Sequence, residues 1–100
     1  METSDLRHIE MMKTSIEDYE KSAVTFEVLV SQLETLFRSL TTISSDWKEK
    51  FYNNWLELET INALCLDENR KLEGSEYEKI ASEKIQDLKR LVNDLELPKK

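Results

Sequence analysis

The sequence predicts an all-α fold: a compact bundle of about four antiparallel helices in a single helical domain covering residues 1–100. Three observations predict it. First, 100 residues contain one glycine and one proline, too few turn formers for a sheet protein or for long loops. Second, four segments repeat apolar residues at steps of three and four, the period of a helix with one dry face. Third, 39% hydrophobic and 35% charged residues suit one small soluble domain whose modest core needs no staples.

The first helix is expected from about Ser4 to Lys21, where Leu6, Ile9, Met12, Ile16 and Tyr19 recur on one face. Ser4 can cap it, and Asp5 suits the positive end of the helix dipole. The stretch Lys-Ser-Ala-Val-Thr breaks the pattern, and Thr25 is the candidate cap of a second helix from Phe26 to about Leu40. Its dry face is Phe26, Leu29, Val30, Leu33, Leu36, Phe37 and Leu40. The β-branched Val24, Thr25, Val28 and Val30 suggest a strand locally, but the longer run of three- and four-residue steps decides for a helix.

Thr-Thr-Ile-Ser-Ser-Asp reads as a loop that ends in a cap at Ser45 or Asp46, with Glu49 three residues after Asp46 in a capping-box pattern. The third helix then runs to Asp67 or Glu68. A connection around Gly74 follows, with a capping box of Ser75 and Glu78. The fourth helix carries Tyr77, Ile80, Ala81, Ile85, Leu88, Leu91, Val92 and Leu95, and Pro98 with two lysines ends the chain. Heptads are not sustained across the loops, so a bundle is expected before one long coiled coil.

The third helix concentrates the aromatic residues Trp47, Phe51, Tyr52 and Trp55. At 100° per residue, Trp47, Phe51, Asn54, Trp55, Leu58, Ile61, Asn62, Cys65 and Leu66 form a core arc, while Tyr52, Leu56 and Ala63 lie nearly opposite Trp47. Two explanations fit a helix apolar over more than half its girth. Either neighbours pack on both sides, or part of the second stripe is exposed and docks a partner, a role that suits tyrosine and tryptophan. Asn54 and Asn62 should be hydrogen-bonded or sit at the edge of the arc, since an unpaired buried amide costs roughly 1–3 kcal/mol. Cys65 reads as a small buried hydrophobe, and as the lone cysteine it rules out an internal disulfide.

Net charge is −7, of which residues 1–66 carry −6. Such a chain repels nucleic acid and anionic membranes and speeds encounter with basic partners. The cations alternate with acids throughout, so no basic face forms. No signal-peptide pattern and no run near the ~20 apolar residues of a membrane span is visible, and a cytoplasmic location is expected. An enzyme is not expected. His8 is the only imidazole, no glycine-rich phosphate loop exists, and no ligand set has metal spacing. Glu57 and Glu59 lie two apart on a helix and point in different directions, which disfavours paired acid–base work. No cofactor is implied.

Three runs carry a resemblance: Thr25 to Leu40, Asp46 to Leu72, and Ser75 to Val92. Leu33 and Leu36 followed by Trp47, Phe51, Trp55, Leu58, Glu59, Leu66 and Asp67 make an aromatic spacing that resembles a family of small all-helical bacterial immunity proteins. Those belong to contact-dependent growth inhibition and related polymorphic toxin systems. The chain differs at Asn62, where the family often has tyrosine, and at Ser22 or Ala23, where it tends to glycine. The resemblance implies an immunity protein that neutralises a cognate toxin C-terminal domain, commonly a basic nuclease, by one-to-one binding. Trp47, Phe51 and Trp55 are expected in the core. Contact falls to acids off the core arc, Glu49, Glu57, Glu59, Asp67 and Glu68, with Tyr52 as the aromatic anchor. The alternative is a helical adaptor that self-associates through Tyr52, Leu56 and Ala63.

Overall fold

The computed structural model describes residues 3–95, and the expected chain end at Pro98 and the two lysines lies outside them. Four helices follow in order: α1 (Thr3–Glu20), α2 (Phe26–Arg38), α3 (Ser45–Asp67) and α4 (Glu78–Asp94). Each helix packs on the next and α4 returns to α1, while the diagonal pairs α1/α3 and α2/α4 stay apart. The result is an up-down-up-down square bundle, as the periodicity predicts. Long-range bonds show the antiparallel order. Trp47 at the start of α3 donates its indole N–H to the Leu91 carbonyl near the end of α4 (2.9 Å), and Trp55 donates to the Val30 carbonyl of α2 (2.9 Å).

The core is the layer these helices share: Ile9, Met12 and Ile16 of α1, Leu29, Val30 and Leu33 of α2, Phe51 and Leu58 of α3, Ala81, Ile85, Leu88 and Val92 of α4. Trp47 and Trp55 are buried as expected, their ring nitrogens paired. The Phe37, Phe51 and Trp47 rings stack in series at 5.2 Å centroid spacing. Cys65 is buried and Asn54 is half-buried, its amide donating to the Lys50 carbonyl (3.0 Å). Asn62 is half-buried, at the edge of the arc.

Helix ends depart most from expectation. The N-cap of α3 is Ser44, whose hydroxyl accepts from Trp47 N–H (3.3 Å), one residue before the expected Ser45 or Asp46. Ser4 lies inside α1 and does not cap it. α4 starts at Glu78 and not directly after Ser75. The Ser75 hydroxyl accepts from Tyr77 N–H (3.2 Å) and donates to the Leu72 carbonyl (2.6 Å), while Glu78 reaches Gly74 N–H (3.4 Å). The two groups of the expected capping box are both used, each on a neighbour, and they close a turn instead of opening a helix.

α1 and α3 both end in the Schellman pattern, which the sequence reading missed. Ser22 (φ 62°) and Asn69 (φ 53°) take left-handed conformations just past the two ends. Ala23 N–H bonds to the Asp18 carbonyl and Ser22 N–H to that of Tyr19; Arg70 N–H bonds to Cys65 and Asn69 N–H to Leu66. Ser22 thus stands in a conformation that glycine adopts freely, at the place where the resembled family tends to glycine.

Two apolar assignments are corrected. Leu66, expected on the core arc, is 58% exposed, because α3 has 23 residues and α2 only 13, so α2 ends before reaching the last turns of α3. Ile80 is exposed because the buried positions of α4, at 81, 85, 88 and 92, leave it outside their arc.

Candidate docking face on the third helix

α2 and α4 flank α3, covering the arc of Trp47, Phe51, Trp55, Leu58, Ile61 and Cys65. The remaining side is open. Exposed there are Tyr52 (44%), Leu56 (43%), Leu64 (37%) and Leu66, four of the seven large exposed hydrophobics among the described residues. The second apolar stripe is therefore a surface feature of the chain, although neighbours pack on both flanks.

Glu49, Tyr52, Leu56, Glu59, Ala63 and Leu66 follow one another at steps of three and four, so they share a face that ends beside Asp67. At a rise of about 1.5 Å per residue, the face from Glu49 to Asp67 is about 27 Å long. Of the sequence-expected contact residues, Glu49, Tyr52, Glu59 and Asp67 are brought together here, with Glu59 half-buried and the others exposed. Glu57 is exposed but lies further round the helix beside Leu64. Glu68 is the C-cap, and its carboxylate is engaged within the chain by Arg70 (3.1 Å) and by the Tyr77 hydroxyl (3.4 Å). Burial and the nearby Glu68 and Glu76 carboxylates push the Tyr77 hydroxyl pKa upward, so it stays a proton donor to Glu68.

Tyr52 is positioned before any partner arrives. Its ring lies 6.0 Å from Phe37 and 5.7 Å from Trp55, while its hydroxyl has no hydrogen-bond partner among the described residues. A ring held at its root and open at its tip loses little freedom on docking.

The electrostatics of the face are one-sided. From Phe51 to Asn69 the chain contains Glu57, Glu59, Asp67 and Glu68 and no lysine, arginine or histidine. Lys48, one turn before Tyr52, donates to the Leu40 carbonyl (3.1 Å) and lies over the Phe37 ring (5.9 Å), which tethers its charge at the α2 end of the face. An apolar centre ringed by uncompensated carboxylates gives an interface with a dry middle and a negative rim. Leu66 was not foreseen as part of it, nor was Leu64 further round beside Glu57. The signal that could have found Leu66 is length: beside a 13-residue α2, the α2 side of the last turns of a 23-residue helix has no cover, although Ile61 and Cys65 on its inner side are buried.

Among the described residues, no group of three or more histidine, cysteine, aspartate or glutamate side chains is arranged to hold a metal ion, and no helix is long and apolar enough to cross a membrane. Comparison of the chain with protein-family models, curated proteins and solved structures finds no match.

Proposed function

We propose that this protein is an immunity protein that binds and neutralises a cognate toxin domain, a basic protein such as a nuclease, in the cytoplasm of the bacterium that makes it. The observation that carries this reading is the open face of α3: exposed Tyr52, Leu56 and Leu66 among Glu49, Glu59 and Asp67, with Leu64 and Glu57 further round the helix and no cation in the chain between Phe51 and Asn69. Its apolar centre supplies affinity through area removed from water, and its carboxylates steer a cationic surface toward it.

The same charges argue against the self-associating adaptor. A two-fold pairing of this face with a second copy sets Glu49 against Asp67 when the helices run antiparallel, and each acid against itself when they run parallel. The acids of this face repel one another across such a contact, whereas a basic partner makes each of them attractive.

The test mixes the purified protein with the toxic C-terminal domain encoded by the neighbouring upstream reading frame and follows binding by calorimetry and protection by growth. The reading expects one-to-one binding and rescue of toxin-expressing cells. A neighbouring toxic domain that is neither bound nor neutralised overturns it.

A further inference from the structure

The connection between α2 and α3, residues 39–44, is held in an unusual way. α1 and α3 are stopped by left-handed residues, Ser22 and Asn69. The 39–44 segment has no positive-φ residue, no glycine and no proline. Ser39 is still in the right-handed helical region, and Ser39 and Leu40 close tight turns onto the Leu36 and Phe37 carbonyls. Ahead of Ser44, whose extended backbone caps α3, no left-handed residue stops α2.

A carboxylate from another helix is bonded into this turn. Asp5 of α1 is fully buried, the only acidic side chain so placed among the described residues. Its oxygens accept the backbone N–H of Thr41 (3.0 Å) and of Thr42 (2.7 Å) and both threonine hydroxyls. In a helix continuing from α2, those two N–H groups would be directed at carbonyls four residues back, those of Phe37 and Arg38. Asp5 competes for them and wins because a charged acceptor makes the stronger bond. On the other side of the turn, Lys48 holds the Leu40 carbonyl that Ser44 N–H would otherwise take. The segment also joins two hairpins, α1–α2 and α3–α4, whose mutual seam is closed by Trp55 on Val30 and by Glu20 on Lys89 (3.0 Å).

We propose that Asp5 is a latch: it keeps residues 39–44 turned so that the two hairpins of one chain pack on each other, and its loss lets the segment become helical so that two copies exchange hairpins. The open form would carry one helix from Phe26 to Asp67, and each hairpin would find in the second copy the seam it left in its own chain.

The experiment uses the full chain as Asp5→Asn, and separately as Thr41→Ala with Thr42→Ala, which keeps the carboxylate but raises the helical preference of the turn. Each is unfolded, refolded at high concentration and examined by light scattering, far-ultraviolet circular dichroism and native mass spectrometry of mixed isotope-labelled and unlabelled chains. The latch expects a species of twice the monomer mass, with mixed-label dimers formed only on joint refolding and a gain in helix matching residues 39–44. Adding Thr42→Pro to Asp5→Asn should return the mass to that of one chain, because proline blocks a continuous helix. The proposal is overturned if Asp5→Asn refolds only as a monomer, or if the proline variant dimerises to the same extent. Should Asp5→Asn fail to fold, Asp5→Ser, which also removes the charged acceptor, decides by the same criteria.

Discussion

Asp5 shows how one side chain can carry more of a fold than its position suggests. From the sequence it is a first-turn acid that favours the helix dipole. In the structure it is buried, where loss of hydration raises its pKa, but the bonds from Thr42 and Thr41 outweigh that and hold it at about 2. Because the folded value lies below the ordinary 3.8, its contribution is complete above about pH 4 and is lost as pH falls toward 2. Urea denaturation of the wild type should show that decline, and dilute, monomeric Asp5→Ala should be about 2–3 kcal/mol less stable at neutral pH, with a smaller decline over the same range. Ser22 offers the opposite case. Relief of its left-handed strain in Ser22→Gly should stabilise the chain by about 0.5–1 kcal/mol, while Asn69→Gly should gain less because asparagine tolerates this conformation. Equal denaturation midpoints for Ser22→Gly and the wild type would remove strain from the explanation of that helix end.

At the scale of elements, the four helices and the inward tryptophans were legible because three- and four-residue periodicity records which face a helix buries. Helix ends were not. Thr25 was found because it is a threonine before an apolar run, and it does accept from Val28 N–H (3.2 Å). Ser44, Ser45 and Asp46 are all good caps, so residue type alone could not choose among them. The Ser22 and Asn69 ends carry no glycine to mark them. Leu66 escaped because a wheel reports angle and not the length of the neighbour. The same limit applied to the candidate site: the second stripe on α3 was visible, but whether a neighbour covered it depends on packing. Since Tyr52 and Leu56 are exposed on the outer side of α3 and away from the core, Leu56→Ala and Tyr52→Ala should change stability by no more than about 1 kcal/mol. Both should weaken partner binding at least tenfold if they are anchors. Loss of binding with the melting temperature kept is the signature that separates a docking residue from a core residue such as Phe51.

At the scale of the molecule, a charge of −7 acts together with its placement. Surface ion pairs such as Glu34–Arg38 (2.9 Å) and Asp87–Arg90 (2.7 Å) neutralise acids on α2 and α4. Glu49, Glu57, Glu59 and Asp67 on α3 form no such ion pair among the described residues, so uncompensated negative charge lies beside the exposed apolar stripe. The most direct measurement is stopped-flow association with the toxin domain of the proposed partner at about 50 mM and 500 mM salt, for the wild type and for Glu59→Lys with Asp67→Lys. We expect the wild-type association rate to fall at least tenfold across that range, and the double variant to associate slowly at both salt concentrations. An association rate indifferent to salt and to both lysines would contradict the account, because the carboxylates on α3 would then have no part in drawing the partner in.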